Sequence, residues 1–167
     1  RLQPENGNLP QRWAAMPLLR AKPTLDPAMK ANDWAGSNVW NIAQSFLFES
    51  GNDTDFLLLA ARSTMLFWSA AAGLLVFWWA RSMWGDAAGV GALALFAFSP
   101  TTLAHGPLVT SDMCAAVCLL AALAAWWRLS LSPRPKLVLL AGVTTGLAFV
   151  AKFSAVLLLP VFVALLG

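Results

Sequence analysis

The residues that could do chemistry are concentrated in one short polar segment, 99–112, which separates two apolar runs. The segment contains the chain's only histidine, His105, and it ends on an acid, Asp112. A further ionisable residue, Lys152, interrupts the last apolar run. A carboxylate can accept a proton or stabilise a developing positive charge, and cationic side chains can bind an anionic group. We therefore interpret segment 99–112 as the edge of an active site.

The acid Asp112 is costly in an apolar helix unless it lies at the helix end. An ionised carboxylate at the centre of a membrane helix is unfavourable by about 2.5–3.5 kcal/mol. At a helix start, free backbone N–H groups and the helix dipole favour the negative charge. An apolar run begins at Met113, so Asp112 stands at such a start. Two roles stay open: a functional acid, or an N-cap, a role that Thr110 or Ser111 can also fill.

The three cationic candidates each have a structural alternative. Arg62 lies about a turn and a half inside an apolar run, where it can snorkel to the surface or meet an anionic group. Lys152 can be a topology anchor or a ligand for a phosphate at headgroup depth. His105 can be an ordinary histidine of an interfacial loop or part of the site.

The composition predicts an integral membrane protein. Apolar residues make up 59% of the 167 residues and charged residues only 11%, whereas a soluble domain has about a quarter charged residues. The net charge of +3 is spread over loops, which argues against nucleic-acid binding. Cys114 and Cys118 lie four apart, on one helix face, and match no zinc pattern. Because the chain starts at Arg1 and stops inside an apolar run, we expect it to be a piece of a longer protein.

The fold class that we predict is all-α: a multi-span helical bundle in the membrane, preceded by an extracytoplasmic loop. The loop covers 1–55, and the bundle covers 56–167. A single helix from Leu137 to the chain end would measure about 45 Å, too long for one perpendicular crossing of a ~30 Å hydrocarbon layer. We therefore predict a hairpin that turns near Lys152 and Phe153. The predicted spans are approximately 56–80, 87–104, 113–131, 137–151 and 153–167.

Short amphipathic helices are predicted in the loop. One is centred on 39–47, behind Ser37 or Asn38 as a cap, and another covers 10–19. Both are expected to lie on the bilayer surface. The tryptophans expected to anchor them at the interface are Trp13, Trp34 and Trp40.

Two independent patterns predict the orientation of the bundle. The connections 81–86 and 128–136 carry most of the bundle's Arg and Lys residues, which makes their side cytoplasmic by the positive-inside rule. Two tryptophan pairs, Trp78-Trp79 and Trp126-Trp127, stand just before arginines and are expected at that same interface. The loop 1–55 and the polar segment 99–112 then face outward, as does Lys152.

Several motifs resemble those of polyprenyl-phosphate-dependent membrane glycosyltransferases, the relatives of protein O-mannosyltransferases and aminoarabinose transferases. The most specific are Leu-Ala-His at 103–105 with Thr-Ser-Asp at 110–112, and Ala-Lys-Phe-Ser at 151–154. The similarity extends over nearly the whole chain. Its other motifs are Pro4–Pro10, Trp13–Leu19, Phe98–Pro100 and Gly142–Gly146.

This resemblance implies a GT-C fold with an active site at the extracytoplasmic surface and a sugar on a polyprenyl phosphate as the donor. It also implies an acid, often Asp-Glu, in an outer loop that would precede Arg1. Where many relatives have Pro-Glu-His, this chain reads Pro4-Glu5-Asn6 and lacks an imidazole that could bind metal or phosphate. No metal ligands are therefore assigned, and a divalent ion is left open as a cofactor.

The leading hypothesis is the core of an inverting glycosyltransferase in a bacterial inner membrane. Glycosyl transfer needs carboxylates near the acceptor and cations near the departing phosphate. Asp112 and Glu5 are the candidate catalytic acids, and the acceptor is a lipid, a glycan or a protein. The candidate substrate-binding residues are His105, Lys152, Asn6 and Arg62. The alternative is a non-catalytic membrane scaffold or a transporter fragment, because broken helices and intramembrane charges also mark transport sites.

Overall fold

The computed structural model describes residues 7–25, 33 and 35–166, and within these ranges all regular structure is helical. A short π-helical turn covers Ser45–Glu49, and a 3₁₀ turn covers Phe153–Leu157. The helices are α1 Leu9–Ala15, α2 Leu18–Ala21, α3 Val39–Gln44, α4 Thr54–Trp84, α5 Asp86–Ala97, α6 Pro100–His105, α7 Asp112–Leu131, α8 Pro135–Ala151 and α9 Leu158–Leu166.

The longest described helix is α4, with 31 residues. It begins where the side chain of Asp53 accepts a hydrogen bond from the Phe56 N–H, 3.0 Å away, which satisfies one free donor of the first turn. It ends at Gly85, whose φ of 86° lies in the left-handed region that favours glycine. Among the described helices, α4 and α7 are long and apolar enough to cross a membrane. The division of the bundle into five spans stays a prediction.

Glycine lets α5 pack closely against the end of α4. A β-carbon on Gly89 would lie 2.9 Å from Cβ of Arg81 and 3.0 Å from the carbonyl oxygen of Phe77. These distances are shorter than ordinary van der Waals contacts, so only glycine fits without a shift of the backbone. At the turn between the two helices, the guanidinium of Arg81 forms a 2.6 Å ion pair with Asp86.

The stretch predicted as one span, 87–104, is divided between α5 and α6. Helix α5 ends at Ala97, and α6 begins at Pro100 after an extended Ser99. Proline lacks a backbone N–H and disfavours helical geometry in the preceding residue, so it begins a new helix and does not continue the old one. The 12 residues of α5 would measure only about 18 Å.

The predicted helix break at Lys152 is present. Helix α8 ends at Ala151, and Lys152 is extended, with φ −156° and ψ 134°. The chain then turns back, because the ring of Phe162 in α9 stacks on Trp126 with centroids 4.4 Å apart. The indole of Trp126 also donates to Thr145 Oγ1 in α8 (3.0 Å). Trp126 therefore contacts both arms of the hairpin.

The N-terminal lobe, residues 7–25, packs on the bundle. Its Trp13 is half-buried, donates its indole N–H to the Thr64 carbonyl (3.0 Å) and contacts the ring of Trp68 (5.4 Å between centroids). Trp13 therefore packs against the bundle, and its position at the bilayer interface stays a prediction. Trp40 is 86% exposed, as an interfacial anchor requires, and Trp34 lies outside the described residues.

The two tryptophan pairs lie at one end of the bundle, as predicted. The Arg128 guanidinium, next to Trp127, stands over the Trp78 ring with Cζ 4.0 Å from the centroid. This cation–π contact joins the last turn of α7 to α4. We call this the tryptophan end, and we call the opposite end of α7 and α8, with Asp112 and Lys152, the ion-pair end. Which end faces outward stays a prediction.

Cysteine labelling of the intact protein tests the predicted orientation. We expect a membrane-impermeant thiol reagent, added from outside, to label His105→Cys and Asp112→Cys, because both positions are exposed at the predicted outer surface. Arg134→Cys is equally exposed but lies at the tryptophan end and should be labelled only after the membrane is opened. The background lacks Cys114 and Cys118. Labelling of position 134 alone in sealed cells would contradict the orientation.

The close approach at Gly89 gives a test of the helix packing. Gly89→Ala places a methyl group against the Phe77 carbonyl, and we expect it to destabilise the folded state by about 1–3 kcal/mol. Gly91→Ala in the same helix is the control, because a β-carbon there meets nothing within 4 Å, and the gain in helix propensity should be neutral to stabilising by about 0.5–1 kcal/mol. Thermal or denaturant unfolding in detergent measures both. Equal stabilities of the two variants would show that α5 does not pack on α4 in this register.

Candidate active site

Two of the predicted site residues, Asp112 and Lys152, meet in the folded chain. The ammonium Nζ of Lys152 donates to Oδ1 of Asp112 at 2.9 Å, across 40 residues of sequence. The contact forms because α7 and α8 pack side by side in opposite directions, which brings the start of α7 to the end of α8. The side chains are 54% exposed for Asp112 and 36% exposed for Lys152, so a ligand can reach both.

Asp112 is the first helical residue of α7 and not its cap. The N-cap is Ser111, which is buried and makes no side-chain capping bond, while its carbonyl accepts from the Ala115 N–H (2.8 Å). Among the described residues, the only side-chain hydrogen bond of Asp112 is the one from Lys152. Within the described ranges its carboxylate therefore bonds a cation and no backbone donor, and it lies in the favourable field of the helix N-terminus.

Small buried residues hold Lys152 in place. Ala151 and Ala155, on either side of it, are completely buried and belong to the core that also contains Met113 and Cys114 of α7. The backbone N–H of Lys152 donates to the Ala148 carbonyl (2.9 Å), and its carbonyl accepts from Ala155 (3.1 Å). With the backbone anchored in this way, the long side chain is the part that is free to move. The lysine is paired with an acid and does not simply extend alone to the surface.

A glycine of the N-terminal lobe packs directly against the end of α8, just before the extended residue Lys152. A β-carbon on Gly7 would overlap the carbonyl of Val150 and lie 3.1 Å from the backbone nitrogen of Ala151. Gly7 is buried, so the lobe covers the last turn of α8 immediately before Lys152. Sequence reasoning missed this contact. A glycine flanked by two asparagines is typical of a turn, and nothing in the local pattern indicates a close approach to a residue 143 positions later.

The other predicted site residues are not joined to the pair. His105 ends α6 with an exposed side chain, and the neighbouring Gly106 is held by a 3.1 Å hydrogen bond from Ser69 Oγ to its carbonyl. Arg62 is exposed on α4. Within residues 7–25, 33 and 35–166, neither side chain forms an ion pair or a side-chain hydrogen bond. Glu5 and Asn6 lie outside the described residues.

The described residues do not form a metal site. No group of three or more His, Cys, Asp or Glu side chains among them could hold a metal ion. The partner of Asp112 is the ammonium of Lys152. Cys114 and Cys118 are reduced, and both are buried in the core.

One buried polar side chain close to Asp112 in the sequence lacks a hydrogen-bond partner among the described residues. The hydroxyl oxygen of Thr110 is buried and has no hydrogen-bond partner within the described part of the chain. It lies two residues before Asp112, in the connection 106–111 between α6 and α7. A hydroxyl can donate as well as accept, so it is able to bind a polar group that reaches it. The sequence signal for it was the Thr-Ser-Asp motif, in which only the acid was assigned to the site.

Comparison with known proteins identifies the family. No curated protein and no solved structure matches the chain significantly. The family model of dolichyl-phosphate-mannose-protein mannosyltransferases matches residues 51–167, which are 117 of the 167 residues. The matched region contains α4 to α9 and both residues of the ion pair, Asp112 and Lys152. The chain therefore belongs to the dolichyl-phosphate-mannose-protein mannosyltransferase family and is a membrane glycosyltransferase of GT-C type.

Proposed function

We propose that this chain transfers a sugar from a polyprenyl-phosphate donor to an acceptor hydroxyl at the extracytoplasmic face of the membrane, with Asp112 and Lys152 as the charged pair of the active site. The single observation that supports it most directly is the 2.9 Å contact between these two residues. Asp112 was predicted from the sequence as an acid of the site, and Lys152 separately as a cation of the site. The two are adjacent in the folded protein. The proposed sugar is a hexose or a pentose. The proposed acceptor is a lipid, a glycan or a protein.

The chemistry assigns a separate task to each member of the pair. The acceptor oxygen forms a bond to C1 of the sugar, while the bond from C1 to the phosphate oxygen breaks and its electron pair leaves with the phosphate. The acceptor proton passes to the carboxylate of Asp112, which acts as general base. The negative charge that develops on the leaving phosphate is stabilised by the ammonium of Lys152. Attack on the face opposite to the phosphate inverts the configuration at C1.

The position of the pair suits a lipid phosphate. Lys152 follows the end of the apolar helix α8, which places its ammonium near the depth of a lipid headgroup if α8 spans the membrane. The donor's polyprenyl chain would then lie among the exposed apolar side chains of the bundle. This proposal includes a multi-span arrangement of α4 to α9 in a bacterial inner membrane, with the ion-pair end facing outward.

The remaining candidates keep assigned roles within this proposal. Glu5 and Asn6 directly precede Gly7, whose contact with Val150 supports a role for the N-terminal lobe at the site. Glu5 is proposed as a second acid near the acceptor, and Asn6 as a substrate ligand. His105 and Arg62 are proposed as further ligands of the donor. No observation in the described ranges favours a scaffold or a transporter instead.

A comparison of two similar aspartates tests the catalytic role of Asp112. Asp112→Asn should lower the transfer rate by about 10²–10⁴-fold, the usual effect of losing one acid–base group. Its stability should fall by only about 0.2–1 kcal/mol, because the ion pair is exposed. Asp86→Asn is the matched control: Asp86 is also the first residue of a helix and is also paired with one cation, but it lies at the tryptophan end. The measurements are transfer rate and thermal midpoint of the intact proteins.

The control variant should keep the normal rate and show a similarly small loss of stability. If Asp112→Asn retains a near-normal rate, Asp112 has only a structural role. If both variants lose activity in parallel with their thermal midpoints, the effect is one of folding. A screen of purified polyprenyl-phosphate sugars then identifies the donor, and turnover of none of them would contradict the proposed donor class.

A further inference from the structure

We propose that Asp112 holds Lys152 when the site is empty, and that the lipid phosphate of the donor takes Lys152 from it. The carboxylate is then free to act on an acceptor only after the donor has bound. This inference rests on the proposed function, because it requires a phosphate-containing donor. It adds an order of binding, donor first, and a physical cause for that order.

The two anions compete for one cation. Within residues 7–25, 33 and 35–166, Asp112 is the only acid paired with Lys152, and Lys152 is the only cation paired with Asp112. Both side chains are partly exposed, so the contact is open to an incoming anion. Exposed carboxylate–ammonium pairs are weak. A phosphate offers more acceptor oxygens to an ammonium and forms strong charge-assisted hydrogen bonds. The exchange of partners therefore favours the phosphate.

Each residue is stabilised by its own helix when the pair separates. Asp112 is the first residue of α7, a helix of 20 residues, where the dipole favours a negative charge. Lys152 directly follows the last residue of α8, where the free carbonyl groups favour a positive charge. The antiparallel packing of α7 and α8 thus places two oppositely directed helix ends side by side. The pair can open without leaving either charge unsupported.

The movement needed for the exchange is small and is confined to a side chain. The backbone of Lys152 is fixed by hydrogen bonds to Ala148 and Ala155 and by the buried methyl groups beside it. The four-carbon side chain can rotate without disturbing these contacts. The side chain of Asp112 is short, so its carboxylate stays at the start of α7. The ammonium is therefore the part of the site that moves.

Binding of a sugar-free ligand tests the competition. The probe is a short-chain polyprenyl monophosphate, titrated into the intact wild-type protein, Asp112→Asn, Lys152→Gln and the double variant. If the carboxylate competes for Lys152, its removal releases the cation, and Asp112→Asn should bind the probe about twofold to fivefold more tightly than the wild type. Lys152→Gln should bind it more weakly. In the Lys152→Gln background, Asp112→Asn should bring a smaller gain, since only the repulsion between carboxylate and phosphate is then relieved.

Controls separate binding from folding. Polyprenol, which has no phosphate, should bind all four proteins equally, and Lys152→Arg should keep most of the affinity for the monophosphate because the cation is retained. Asp112→Ser gives a second test of the same direction, because it also removes the carboxylate and leaves the cap residue Ser111 unchanged.

The outcomes distinguish the two proposals. If Lys152→Gln binds the monophosphate as tightly as the wild type, Lys152 is not the phosphate ligand and the proposed function of this residue fails. If Lys152→Gln loses affinity but Asp112→Asn and Asp112→Ser bind as the wild type or more weakly, the proposed function stands and the competition is overturned. An equal gain from Asp112→Asn with and without Lys152 would also overturn it, because it would show repulsion alone.

Discussion

The cost of a charge in an apolar environment explains where the ionisable residues of the bundle lie. From α4 to α9, every charged side chain except Arg62 lies within about a turn of a helix end or in a connection. Helix ends offer unpaired backbone groups, and the helix dipole favours acids at the start, such as Asp55, Asp86 and Asp112, and cations at the end, such as Arg81 and Arg128. Arg81 pairs with Asp86 at one turn, and Asp112 pairs with Lys152 across two helices. The second pair differs from the first because it joins elements far apart in sequence.

The core that brings the pair together is built mainly from small residues. Alanines are buried on both sides of Lys152, and further alanines and two cysteines are buried along α7. Small side chains allow helix backbones to approach closely, which is the usual basis of packing in membrane helices. Such close backbone contacts leave little room for a larger side chain. At Gly7, the backbone of the N-terminal lobe touches that of α8 immediately before the site.

Sequence reasoning predicted the parts of this structure that depend on length and local chemistry. The length of the last apolar run predicted the break that the structure has after Ala151, and the arginine after each tryptophan pair predicted that the two pairs share an end. The division of 87–104 was missed, since its length suits one span and Pro100 was not treated as a helix start. The contact of Trp13 with α4 was not predicted, because an exposed anchor and a packed indole have the same local sequence.

The candidate site shows the same limit. Asp112 and Lys152 were each selected for residue type and position, but their pairing depends on the register of α7 against α8, which no local pattern specifies. The most direct measurement of the central claim is a structure of the intact protein with a bound, non-transferable polyprenyl-phosphonate sugar. We expect a phosphonate oxygen about 3 Å from the ammonium of Lys152, with Asp112 separated from it and facing the sugar. A phosphonate held by other cations, beside an intact Asp112–Lys152 pair, would contradict it.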